Sequence, residues 1–337
     1  MGRTVLTHAP LNPRSLWLVG TSMEIQGKTG DARRAMQQAE RISRRDSAVQ
    51  MWLGSDNLRR GDIVGGLRHF DLMIRANGEA ADLVIPRMAL IIPLAEGRRH
   101  LAPYIRDDNP WMLRLFQTAI TQLPRAAPIA ELLVERRKNA PNVGDIRSVY
   151  GPLMARLVNE GSYAIALRLY PLLPDADSAS LRNVSGAING KIDEGYPPFV
   201  WNFPNDNAQG AEFVSLENGE TGLDVFGAPG TIGIAATKIV AARAGDTLYW
   251  QIADRMGNLE SSANWIATCL AGKSVGRATR SSNMLDSSTP QKRILKIMLP
   301  VDCGLVRLDM RVAGGIGRDP VNLVIGSMKL APGSKAQ

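Results

Sequence analysis

Histidine and cysteine are scarce, three of one and two of the other in 337 residues. Two cysteines without a neighbouring histidine cannot complete a zinc site. No H-E-x-x-H, G-x-S-x-G, Walker loop or C-x-x-C occurs, which removes the best-marked hydrolase, nucleotide and redox motifs. No acidic calcium loop is evident. No apolar run approaches the roughly 18 residues that a membrane-spanning helix needs. Pro10, Pro13 and Arg14 interrupt any signal-like stretch at the start, which reads as the middle of a helical unit and predicts a further segment upstream. Gly314-Gly315-Ile316-Gly317 is glycine-rich, but it lies between strand-like runs and reads as a loop rather than a phosphate cradle. These absences predict a protein with no cofactor, no metal and no enzymatic activity.

The charge is +8, with 40 Lys and Arg against 32 Asp and Glu. Residues 1–190 hold 25 basic and 18 acidic side chains; residues 191–337 hold 15 and 14. The excess sits in the first half, as scattered doublets such as Arg33–Arg34 and Arg59–Arg60. Scattered doublets with no recognition module read as a solvated helical face and make nucleic acid a poor fit. His69 follows Arg68 and is expected at a solvated edge.

Three segments of the first half share one phase. Gly30 leads Ala35, Ala39 and Ile42; Gly61 leads Gly66, Phe70 and Met73; Gly161 leads Ala166, Tyr170 and Leu173. The offsets put the followers on one helix face, with a small residue where a neighbouring helix approaches. Helical patterns also precede each glycine, as in Leu16, Val19 and Met23. The first two glycines stand 31 residues apart, near the roughly 33-residue period of helix-turn-helix solenoids. With Leu16, Val19 and Gly20 at the place of the first-helix Leu-Gly pair, the segment resembles tetratricopeptide repeats. It is degenerate around 83–140, where Pro93, Pro103 and Pro110 intervene. The resemblance implies a helical array over 1–190 whose groove holds a protein partner.

After a Ser-, Asn- and Asp-rich stretch, in which Leu181–Ile192 could form a last short helix, the period changes to two. Val306, Leu308, Met310 and Val312 alternate with Arg307, Asp309 and Arg311; Leu248, Trp250 and Ile252 alternate with Tyr249 and Gln251. Short alternating runs between glycine turns predict an antiparallel sandwich over 196–333. The expected fold is therefore α+β and two-domain: an α-solenoid of helix hairpins, then a jelly-roll-like β-sandwich. Ala244-Gly245-Asp246 leading into Leu248–Ile252, with Val321–Leu330 as a closing strand, resembles carbohydrate-binding modules and galactose-binding-like domains. That resemblance implies a final strand beside the first one, and a polysaccharide ligand. Cys269 and Cys303, 34 residues apart in strand-like segments, can be either one disulfide or two buried thiols, with the disulfide favoured.

Sugar sites need exposed rings with polar partners. Trp250 and Trp265 fall on core faces. Tyr249 falls on the opposite face, with Gln251 and Asn264 as polar partners. Trp201 is a further candidate, although Phe199, Trp201 and Phe203 of the stretch YPPFVWNF also read as one face of a first strand. Glu212, Glu217, Glu220 and Asp224 cluster near early strands and could supply a carboxylate pair. The expected role is a non-catalytic adaptor, holding a protein through the helices and a glycan through the sandwich at the cell envelope. The alternatives are a glycan hydrolase or a purely structural protein, and for location the cytoplasm.

Overall fold

The computed structural model describes residues 12–188, 191–206, 208–257, 260–291, 293–315 and 320–332; His8 and the Ile316–Gly317 end of the glycine loop lie outside them. Among the described residues, ten α-helices occupy the N-terminal half and antiparallel sheets the C-terminal half, an α+β arrangement. The chain divides into two compact units, Met1–Leu153 and Met154–Gln337.

In the first unit, α1 (Pro13–Ile25) packs on α2 (Thr29–Ile42), and α3 (Ser47–Arg59) packs on α4 (Ile63–Ala76). Asn12 caps α1, with proline at the first turn, and Asp46 caps α3 through the amides of Ala48 and Val49, satisfying donors that a helix leaves open. Close approach depends on Gly20, where an added Cβ would lie 2.8 Å from Met36 Cε, and on Gly66, where it would lie 2.7 Å from Leu58 Cδ2. Ala39 and Phe70 are buried and Ala35 is half-buried. Gly30, Gly61 and Gly161, expected among the packing residues, have nothing within 4 Å of an added Cβ. Gly61 and Gly161 instead supply positive φ, 81° and 71°, at turns. Gly30 sits exposed in the first turn of α2 and does neither.

Four shorter helices follow: α5 (Ala81–Ala89), α6 (Ala95–Leu101), α7 (Met112–Gln122) and α8 (Ala127–Glu135), then α9 (Arg147–Asn159). Trp111, Phe116 and Leu133 fill the core here. His69 is no edge residue. It is buried, with Nδ1 2.6 Å from Gln50 Oε1, and burial lowers its pKa although Glu40 opposes the shift.

The second unit contains α10 (Tyr163–Leu169), where Ala166 is buried with Tyr170 just beyond, and then a β-sandwich. Among the described residues of 181–192 no α-helix forms; Leu181 ends a 3-10 turn begun at Ser178, and β1 (Ala187–Ile188) pairs antiparallel with β2 (Lys191–Ile192). One sheet orders β5 (Ile232–Ala241), β10 (Cys303–Ala313), β7 (Ser262–Gly272) and β8 (Ala278–Arg280). The other orders β3 (Gln209–Ser215), β4 (Thr221–Gly227), β11 (Val321–Pro332), β6 (Asp246–Met256) and β9 (Ile294–Met298). Inner faces meet in one core that includes Leu223, Trp250 and Leu323 from the five-stranded sheet and Trp265, Leu308 and Met310 from the four-stranded one, the alternation expected of a sandwich. The closing strand β11 lies between β4 and β6, not beside β3. Cys269 and Cys303 form a disulfide, S–S 2.06 Å, between the neighbouring strands β7 and β10.

YPPFVWNF is not a strand. It is a chain of turns with a cis Pro197–Pro198 bond and one isolated bridge at Asn202. Its rings nonetheless enter the core: Phe199 meets Tyr170 edge-on, Trp201 meets Trp265 and Phe203 meets Phe213. Beside them Lys238 is fully buried, donating to Phe199 O at 2.6 Å and lying 3.9 Å from Asp193 Oδ2.

Candidate functional site on the five-stranded sheet

Residues whose neighbours point into the core must point outward, so alternation defines the outer face. On β6, Leu248, Trp250 and Ile252 are buried, which leaves Tyr249 and Gln251 outside. Register aligns Tyr249 with Lys329 of β11 on one side and Lys296 of β9 on the other. Gln251 aligns with Gly326 and Ile294. Farther along, Glu212, Asp224, Val324 and Asp254 share one row.

The β3–β4 turn makes this face concave. Leu216 folds back over two glycines; an added Cβ would stand 2.8 Å from its side chain at both Gly222 and Gly326. Only glycine leaves room for that cover. The turn is fastened at its tip, where Glu220 Oε2 accepts from Ser327 Oγ at 2.6 Å and from Asn218 Nδ2 at 3.1 Å. Ser327 sits in a bulge of β11 with φ +49°, which turns Met328 into the core and restores Lys329 to the outer face.

The result is a groove of about 560 Å³ lined by Glu220, Tyr249, Gln251, Ile294, Ser327 and Lys329, among others. Lys329 Nζ stands 5.9 Å from the Tyr249 ring centroid, a cation–π distance. The lining combines a ring, an exposed aliphatic side chain, an amide, a hydroxyl, a carboxylate and an ammonium. Such a set can stack on an apolar ring face and bond hydroxyls around its edge.

Sequence reasoning placed Tyr249 and Gln251 at one site, and the structure brings them together. Glu220, Ser327 and Lys329 were missed as partners, since their meeting depends on a turn and a bulge about 107 residues apart in sequence. Two candidates are withdrawn. Trp201 is 7% exposed, packs on Trp265 and donates from Nε1 to Val184 O at 3.0 Å. Asn264 lies on the other sheet, 4% exposed, held by Arg280 and the carbonyl of Ser281. Of the acidic cluster, Glu217 and Glu220 belong to the turn, while Glu212 and Asp224 pair across β3 and β4. Burial, then the charges of Glu212 and Asp254, raise the Asp224 pKa. Its Oδ1 is buried without a hydrogen-bond partner among the described residues.

Neither a family model nor a curated protein matches this sequence. Among solved structures, it is similar to a xylanase from Cellvibrio japonicus in complex with xylopentaose, at 10% identity over 40% of this chain and 27% of that one, TM-score 0.25. It is also similar to an exo-beta-agarase, at 10% identity over 45% of this chain and 25% of that one, TM-score 0.27. The chain thus spans about a quarter of either protein. Both are enzymes by name, which stands against the expectation of a non-enzymatic protein, and that expectation is withdrawn. Overlap this low transfers neither activity to this chain. Among the described residues no helix is long and apolar enough to cross a membrane.

Proposed function

We propose that this protein engages a glycan through the outer face of its five-stranded sheet. The observation that carries the proposal is the groove in which the Tyr249 ring, the Gln251 amide and the Glu220 carboxylate converge. Tyr249 offers the stacking surface. Gln251, Glu220 and Ser327 address hydroxyls. Affinity electrophoresis through gels containing single polysaccharides tests this. At least one polysaccharide should retard the protein, and Tyr249→Ala should weaken retention about tenfold, the loss of one central aromatic anchor. Retention unchanged by Tyr249→Ala would remove the groove from the account.

A second reading is glycan hydrolysis, favoured by the raised pKa of Asp224 beside Glu212. Cross-strand partners hold their Cβ atoms about 5 Å apart, close to the carboxyl separation of retaining glycosidases. Burial raises the Asp224 pKa while Glu212 stands opposite it on the next strand, and two carboxyls in unequal surroundings are what such chemistry needs. Release of reducing ends, abolished by Asp224→Asn and by Glu212→Gln, would support it. Release untouched by both would exclude this pair.

For the helical unit we infer a tetratricopeptide-like array that holds a protein segment, supported by the two hairpins of 13- and 14-residue helices. The disulfide supports an oxidising compartment such as the periplasm. Pull-down with α1–α4 surface variants and fractionation of the expressing cell test these two points.

A further inference from the structure

We infer that the groove selects an acidic saccharide, one whose ring carries a carboxylate, and the inference rests on the glycan reading above. The row across the sheet carries it: Lys329, Tyr249 and Lys296 stand side by side on β11, β6 and β9. Both lysines are exposed, and among the described residues neither has an ion-pair partner. The aromatic platform is therefore flanked on both sides by unneutralised ammonium groups.

The single acid among the groove's lining residues, Glu220, is already engaged by Ser327 and Asn218. Its remaining oxygen can accept from sugar hydroxyls, while an anionic substituent would be held away from it. An uronate ring suits this layout: its apolar face on Tyr249, its hydroxyls toward Gln251 and Glu220, its carboxylate toward one of the flanking lysines. In the free protein Lys329 rests against the ring. An exposed lysine exchanges rotamers in nanoseconds, so it can leave the ring for the incoming carboxylate. A neutral sugar would give the lysines nothing to neutralise.

The test uses matched polymers: polygalacturonate, alginate and hyaluronan, each beside its carboxyl-reduced form, which replaces the carboxylate by a hydroxymethyl group on the same backbone. Two solvent-exposed ion pairs are worth about two- to fivefold each, so at least one uronate polymer should bind about tenfold more tightly than its reduced form. Lys329→Gln and Lys296→Gln should each remove about two- to fivefold, with unchanged melting temperature, and salt should remove it too. Equal affinity for acidic and reduced forms would overturn the inference and leave the glycan reading standing. Binding confined to neutral glycans such as xylan or agarose would do the same. Failure to bind any polysaccharide, acidic or neutral, would overturn both.

Discussion

Reducing the disulfide between Cys269 and Cys303 removes a cross-link between residues 34 apart in sequence. Closing a loop of that length in the unfolded chain costs about 3.8 kcal/mol at 25 °C by the chain-entropy relation. The unit that contains it runs from Met154 to Gln337. For roughly 180 residues the melting entropy is about 0.38 kcal/mol/K, so the bond should raise the melting temperature of this unit by about 10 °C. The cysteines are 1% and 5% exposed, so reductant will not reach the bond in the folded protein. The chain must be reduced in denaturant, refolded and compared with the oxidised form by scanning calorimetry. The Cys269→Ala/Cys303→Ala double variant should fall by a similar amount. A shift under about 3 °C would refute the reasoning, as would alkylation of two thiols in denaturant without reductant.

Burial holds Lys238 at a pKa of about 8, against 10.5 in the unfolded chain. Below pH 8 both states carry the proton and the cost of the buried charge is fully present. Between about 8 and 10.5 the unfolded chain binds more protons, so stability rises with pH, by on the order of 2 kcal/mol at pH 10. Burial pushes Tyr170 up to about 12, so above pH 10 its contribution is lost as pH rises. Urea titrations from pH 7 to 11 should therefore show a maximum near pH 10, and Lys238→Met should flatten the rising limb. Gly66→Ala should cost about 1–2 kcal/mol, because its Cβ meets Leu58 and the Gly54 carbonyl. Gly30→Ala, in open space at the start of a helix, should gain up to about 0.5 kcal/mol; equal effects in thermal melts would mean the repeat phase misidentifies the contact. Trp201→Ala should cost about 3–5 kcal/mol and leave polysaccharide retention per folded molecule unchanged.

The sandwich was legible because alternation is short-range information. Leu248, Trp250 and Ile252 fix their own face and, by exclusion, that of Tyr249 and Gln251. The same parity put Asn264 outward, correctly, but the neighbouring β8 covers that place with Arg280, and cover depends on strand order. Phe199, Trp201 and Phe203 also alternate, yet form no strand. Their partners Tyr170, Trp265 and Phe213 come from three separate segments, and tertiary packing overrides local period. The wall of the groove was hidden for a similar reason. Leu216 over Gly222 and Gly326 is a contact between elements, and nothing in either glycine's neighbourhood announces it. In the helical half the spacing located the helices well. It overvalued Gly30, because a turn glycine and a packing glycine look alike until a neighbour is placed beside them.

A glycan bound to this protein should lie on the outer face of the five-stranded sheet, against Tyr249. Hydrogen exchange with and without a retained polysaccharide tests it most directly, because it reports place as well as binding. Ligand should slow exchange in the β3–β4 turn at 216–221, in β6 at 247–252 and around the bulge at 326–330. Protection confined to the four-stranded sheet or to the helical unit, with these three segments unchanged, would contradict it.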